Sequence, residues 1–286
     1  MGNSGTRSVF QDPRAFFGVD LPKFVVQTKV GNNGCIGEGK LFKTYFMRAE
    51  GVPVVVKVYM RSPDEDLSYI VTKLNAIWMT LNPAKYPNIL PHQMWIRSNS
   101  KKTGPAPVYL VRQYLASNLH DRVLTRCFLS ETEKLWVIFQ LCKALEICHS
   151  NGIVHGDVKP ENVLCTSWNF VVLTDFAFYK PTTIPDDDTD DFQYYFDSMG
   201  RRACYVAPER FVRREQRREG GQDEQQEVEE RRRLFTLTPT PQMDIFSLGC
   251  TIAEVRRLRL LPPCLPPSTP RTPQIETHPT SPPPIA

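Results

Sequence analysis

Apolar residues along the chain fall into two registers, one repeating every second residue and one every third or fourth. Residues 21–59 follow the first. "FKTYFMRAEGVPVVVKVY" holds two β-rich apolar runs joined at Glu50-Gly51, which predicts a hairpin. "DLSYIVTKLNAIWMTL" at 66–81 changes to helical spacing through Leu67, Ile70, Leu74, Ile77, Trp78 and Leu81. "RSNSKKTGPAP" at 97–107 reads as a polar loop and "VYLVRQYL" at 108–115 as a strand. A second helix opens at Ser130, where Ser130 and Glu133 form a capping-box pattern. Its continuation, "LWVIFQLCKALEICH", is apolar nearly all round, so a buried core helix is expected. "NVLCTSWNFVVLTD" at 162–175 predicts two short strands around a Ser-Trp-Asn turn. The reading is α+β, with a strand-rich first part and a helix-rich second.

Two segments carry neither register. Residues 213–233 hold seven basic and seven acidic residues and one apolar residue, Val228, so a solvated insertion is expected. Residues 262–286 contain ten prolines and read as a disordered tail. The remaining composition is that of a globular protein: 286 residues, 41% hydrophobic, 23% charged, net charge +4. No uninterrupted basic stretch suggests a nucleic-acid partner, and no apolar run is long enough for a membrane-spanning helix. "MGNSGTRSVF" lacks an apolar signal core, so secretion is not expected. The eight cysteines form no C-x-x-C pair and are expected as buried free thiols. Met1-Gly2 with Thr6 fits the N-myristoylation pattern, in which Gly2 would take the acyl chain.

Candidate chemistry lies at the strand ends. "HGDVKPENVL" at 155–164 and "TDFA" at 174–177 set two carboxylates, a lysine and an asparagine in fixed order. Phosphoryl transfer needs a carboxylate to orient the attacking hydroxyl, hard oxygen ligands for a metal, a cation for the phosphates, and a loop that comes close to them. Asp157 suits the hydroxyl and Lys159 the transferred phosphate. Asn162 and Asp175 suit a metal, Lys57 in "VVVKVY" the nucleotide phosphates, and Gly37 and Gly39 in "IGEGKLF" the covering loop.

In this order, with "VAPERF" at 206–211 and "MDIFSLGC" at 243–250, the motifs resemble those of the eukaryotic protein kinase family over roughly residues 20–261. The resemblance implies a two-lobed fold, ATP and Mg2+ as cofactors, and structural roles for Glu209 and Asp244. Aminoglycoside-type small-molecule kinases also use an H-G-D loop, but Lys159, Ala207-Pro208-Glu209 and the Asp244 motif favour the protein kinase branch. "HGDVKPENVLCTSWNFVVLTDFAFYKPTTIPDDD" and "DFQYYFDSMGRRACYVAPERF" further resemble the regulatory serine/threonine kinases of class III phosphatidylinositol 3-kinase complexes, a vacuolar protein sorting family that begins Met-Gly-Asn. That likeness implies a myristoylated protein in the cytoplasm, peripheral on late endosome and autophagosomal membranes. It also implies the lipid kinase catalytic subunit and its autophagy and endosomal complex subunits as partners. The organisation expected is an acylated arm at 1–20, a kinase N-lobe to hinge at 21–115, a partial C-lobe at 116–261 ending after its central helix, and the tail.

Several positions depart from the kinase pattern. Gly156 stands where an arginine is usual, Ala177 where the D-F-G glycine belongs, and Phe42 where a third loop glycine belongs. The 66–81 helix offers no glutamate to Lys57, leaving only Asp64, Glu65 and Asp66 before it as substitutes. The shortened C-lobe should leave the face around Ile245, Phe246, Leu248 and Ile252 partly uncovered, with marginal stability in isolation. Two functional readings stay open: an active serine/threonine kinase, or a nucleotide-gripping scaffold that regulates a lipid kinase.

Overall fold

The computed structural model describes residues 14–28, 34–38, 42–61, 68–98, 106–186, 189–196, 205–212 and 239–257. Gly2, Gly39, the acidic run 64–66, the insert 213–233 and the tail 262–286 lie outside the described residues.

The first half builds one antiparallel sheet. Its strands are β1 (Phe24–Val26), β2 (Cys35–Glu38), β3 (Lys43–Ala49), β4 (Val52–Arg61), β6 (Met94–Arg97) and β7 (Ala106–Gln113), in the order β1-β3-β4-β7-β6 with β2 on β3. The β3–β4 hairpin turns at Glu50 (φ 50°) and Gly51 (φ 88°), both left-handed, which matches the twist of the strands they join. Alternation in β4 sorts its residues: Val54, Val56 and Val58 enter the core, while Val55 and Lys57 face the other way. Burying each such valine contributes about 1.5–3 kcal/mol. Beneath this sheet lies α1 (Arg14–Asp20), where Phe17 packs edge-on against Tyr45 at 5.1 Å and Tyr109 donates to Asp20 at 2.7 Å. Residues 14–20 are therefore not part of a free arm, because Phe17 and Leu21 supply apolar surface that the sheet buries.

Helix α2 (Ser68–Thr80) buries Leu74 and Ile77 and leads to the second half. There a four-stranded sheet runs β5 (Ile89–Leu90), β10 (Val171–Thr174), β9 (Val163–Cys165), β8 (Ser117–Asn118). The β9–β10 hairpin turns at Asn169 (φ 56°), as its Ser-Trp-Asn sequence predicts. The pairing of β5 with β10 is parallel, Thr174 opposite Leu90, so Asp175 and His92 emerge at the same end. Short α3 (Leu119–Leu124) precedes α4 (Glu131–Ser150), whose capping box is complete: Glu133 N–H donates to Ser130 Oγ, and Ser130 N–H donates to Glu133 Oε2 at 2.8 Å. The chain then forms β11 (Ile184–Pro185), α5 (Thr189–Phe196), β12 (Phe211–Val212) and α6 (Pro241–Arg257). None of the described helices is long and apolar enough to cross a membrane.

Helix α4 departs from the expectation of all-round burial. Val137, Leu141, Ala144 and Leu145 are buried, but Leu135, Trp136 and Phe139 are about half exposed. An apolar composition does not bury a face that no described element covers; here Trp136 and Phe139 stack on each other at 5.8 Å instead. On α6, Ile245 and Phe246 are likewise exposed while Leu248 is buried. The cysteines divide the same way. Cys148 and Cys165 are buried free thiols, whereas Cys127 and Cys142, on or beside uncovered surface, are exposed.

Candidate active site

The middle of β4 and the ends of β5, β7 and β10 bring Asp175 against three basic side chains. In β4, Lys57 pairs with Leu110 of β7, so Lys57 and Arg112, two residues on, share the face away from the N-lobe core. Lys57 Nζ lies 2.9 Å from Asp175 Oδ2. Arg112 donates to the same carboxylate from two nitrogens, Nε to Oδ1 at 3.1 Å and Nη2 to Oδ2 at 3.4 Å. His92 Nε2 sits 3.5 Å from Oδ1. That last contact is not an ion pair: burial pushes the imidazole down to about 3, against only partial opposition from Asp175, so it is neutral, and neither ring nitrogen has a hydrogen-bond partner among the described residues. Burial would raise the Asp175 carboxyl, but Arg112 and then Lys57 outweigh it and hold the group well below the usual carboxylate range. Burial lowers Lys57, with Asp175 opposing. Asp175 itself is left-handed at φ 65°, an uncommon state for a residue other than glycine.

A second carboxylate sits on the loop that follows α4. Three groups converge on Asp157 Oδ2: Lys180 Nζ at 2.8 Å, Asn162 Nδ2 at 2.9 Å and Lys159 Nζ at 3.3 Å. Asn162 also donates to the Asp157 carbonyl at 2.8 Å, closing the loop on itself. Burial again acts upward on Asp157, and Lys180 and Lys159 outweigh it, so the carboxyl lies below its ordinary range. Lys180 is driven down to about 8 by burial despite Asp157. The loop is fixed from beneath by Asp244 of α6, which accepts from His155 N–H at 2.7 Å and Gly156 N–H at 2.8 Å and is nearly inaccessible. Gly156 adopts φ 81°, a conformation that suits glycine better than the arginine usual there. The His155 ring bridges the Thr174 carbonyl at 2.8 Å and the Asp157 N–H at 3.2 Å, and packs on Phe176.

Lys57 with Asp175, and Lys159 and Asn162 with Asp157, thus form two neighbouring sets, near enough that Asp157 acts on Lys57 and Asp175 on Lys159. Gly37 lies opposite Thr44, itself opposite Lys57, two strands from the lysine. Phe42 turns onto Tyr179 at 4.9 Å and Tyr59 at 5.8 Å, so where a third glycine would leave room an aromatic wall stands beside Lys57. Glu209 is exposed; the buried anchor of its turn is the next residue, Arg210, which donates to the carbonyls of Pro181, Thr182 and Gly156. Lys57 is not left without an acidic partner, because Asp175 takes the place of the missing helix glutamate. Sequence reasoning missed Arg112, His92 and Lys180. Arg112 left a signal: a single cation inside an apolar strand, on the face that the Lys57 pairing turns inward.

Asn162 and Asp175 carry the oxygen donors that Mg2+ prefers. As arranged, the pair does not fit a divalent cation, since both Asp175 oxygens already face fixed positive charge.

Comparison with known proteins agrees with this geometry. The protein kinase domain family matches residues 31–225. The chain is similar to the serine/threonine-protein kinase VPS15 of Arabidopsis thaliana, 40% identical over 258 residues, covering 89% of this chain and 16% of that protein. It is 44% identical over 223 residues to the probable serine/threonine-protein kinase vps15 of Dictyostelium discoideum, covering 77% of this chain and 10% of that protein. The Schizosaccharomyces pombe vps15 kinase is 36% identical over 252 residues, 87% of this chain and 13% of that protein. The chain therefore spans only about a tenth to a sixth of these relatives. In fold it is similar to the crystal structure of Rad53 1-466 in complex with AMP-PNP, with a TM-score of 0.51 at 20% identity over 82% of this chain and 48% of that one. With its strand-rich first sheet, its catalytic-loop motifs at strand ends and this match across two thirds of its length, the chain belongs to the protein kinase family.

Proposed function

We propose that this chain is an ATP-dependent protein serine/threonine kinase domain, working as the regulatory kinase of a class III phosphatidylinositol 3-kinase complex in endosomal and vacuolar sorting. The observation that carries the catalytic reading is that the Lys57–Asp175 pair and the Asp157–Lys159–Asn162 set, from distant segments, lie near enough to act on each other electrostatically. The hydroxyl oxygen of a serine or threonine attacks the γ-phosphorus, the bond to the β-phosphate oxygen breaks, and ADP leaves. Asp157 orients the hydroxyl and receives its proton. The contacts named above to its carboxylate use Oδ2, which leaves Oδ1 to face the hydroxyl. Held ionised by Lys180 and Lys159, Asp157 is a weak base, so the proton moves late, once the hydroxyl is already bonding to phosphorus. Lys57 and Lys159 face the negative charge of the phosphates. Asn162 fixes the carboxylate so that its orientation is set before substrate arrives.

A second reading, a nucleotide-binding scaffold with little turnover, is favoured by one observation: each carboxylate is already matched by two cations. Phosphate transfer from radiolabelled ATP to a serine/threonine-rich protein, beside an Asp157→Asn control, separates the two. Transfer lost in the variant supports the kinase; equal signal from both ends that reading. Association with the lipid kinase catalytic subunit, and acylation at Gly2 with residence on late endosome membranes, extend the proposal. Intact-mass measurement of protein made with a myristoyltransferase tests the acylation, and an unshifted mass removes it.

A further inference from the structure

We infer that Arg112 stands, at Asp175, in place of a divalent cation, so that this site binds a nucleotide triphosphate through its own cations without needing a metal ion. The inference rests on the nucleotide-binding reading above and names the cofactor form that reading requires.

Three observations support it. First, the arginine covers both carboxylate oxygens, from Nε at 3.1 Å and Nη2 at 3.4 Å, and Lys57 adds a contact at 2.9 Å. A guanidinium does not lose its proton in a protein, so it cannot yield the site by becoming neutral. Arg112 is 6% exposed, so the pair is shielded from solvent. Second, among the described residues neither cation has another acidic contact. Helix α2 contains no Asp or Glu, and among the described residues Asp175 is the one carboxylate that Lys57 and Arg112 touch. In a site where a helix glutamate held the lysine, the aspartate would be free for a metal; here it is the counter-ion itself. Third, the charge balance is already suited to a polyanion. Lys57, Arg112, Lys159 and Lys180 face Asp157 and Asp175, four cations against two carboxylates. That excess of two positive charges draws a polyanion such as a triphosphate. Arg112 is a positioning residue: it acts through Asp175, leaving Lys57 and Lys159 to meet the phosphates.

The test uses the whole 286-residue chain and a fluorescent ATP analogue followed by anisotropy. Affinity in EDTA is expected to equal that in excess Mg2+ within about twofold, and Mn2+ added to the wild-type complex is expected to give no bound signal by electron paramagnetic resonance. Inorganic tripolyphosphate should displace the analogue in EDTA. Arg112→Met exposes the carboxylate: affinity in EDTA falls about tenfold or more, the loss of a charged hydrogen-bonding group, Mg2+ restores it, and bound Mn2+ becomes visible. Wild-type binding that needs Mg2+, or a bound Mn2+ signal in the wild type, overturns the inference while leaving nucleotide binding intact. No binding in either buffer overturns the nucleotide reading itself. Should Arg112→Met lack a cooperative melt, the wild-type comparison of EDTA with Mg2+ and the Mn2+ spectrum decide alone.

Discussion

Asp175 is buried and Asp157 half-buried, and both are ringed by cations and held ionised, yet their partners come from different distances along the chain. Those of Asp157 lie on its own loop or just beyond: Asn162 five residues on, Lys180 twenty-three. Those of Asp175 come from the other half of the molecule, with Arg112 sixty-three residues away and Lys57 further still on β4. Asp157 therefore forms a local cluster that its loop can assemble by itself. Asp175 forms a cross-brace between the N-terminal sheet and the second half, and exists only when both are folded. Its energetics should be those of tertiary structure, and those of Asp157 closer to loop geometry.

Four measurements would break or sharpen that contrast. Asp175→Asn leaves Lys57 and Arg112 buried against a neutral amide and should cost about 3–5 kcal/mol in urea unfolding. Asp157→Asn keeps the hydrogen bonds possible for an amide and removes a charge shared by two lysines on flexible stems, so the expected cost is smaller, about 1–3 kcal/mol. Equal losses would erase the distinction between brace and loop. pH separates them further. Both carboxyls sit below their ordinary 3.8, so the stability they supply is present above that value and drains away as pH falls through and beneath it. Each Asn variant should flatten part of that acid limb in a plot of Tm against pH, Asp175→Asn the more. On the alkaline side, Lys180 loses its proton near pH 8 rather than at its ordinary 10.5. Affinity for a nucleotide analogue should then drop roughly tenfold as pH rises through that region, and Lys180→Arg should remove the drop. The smallest effect is expected from Lys180→Met on stability, within about 1 kcal/mol, because Asp157 retains Lys159 and Asn162.

The same contrast explains what the amino-acid order disclosed. Features set by near neighbours were readable: the Glu50-Gly51 turn, the Ser130 capping box, the hairpin around Asn169, and the spacing of Asp157, Lys159 and Asn162. Features set by strand pairing were not. Arg112 joins Asp175 only because β7 lies beside β4 and β10 lies parallel to β5, and neither adjacency is written in local spacing. Helix α4 differs from its pattern for a related reason: periodicity says what a helix can bury, and its neighbours decide what it does bury. Phe17 shows the reverse case: its short segment has no strong periodicity, yet Tyr45 and Tyr109 give it a surface to pack on.

His155 carries one last consequence. Its Nδ1 accepts the amide of Asp157, so the ring's hydrogen must reside on Nε2, where it reaches the Thr174 carbonyl. Adding a second proton would set two hydrogens face to face and pull the backbone of Asp157 from its seat. The loop thus has a single admissible tautomer, and nitrogen NMR of this imidazole should give one unchanging pattern through the acidity range in which free histidines switch.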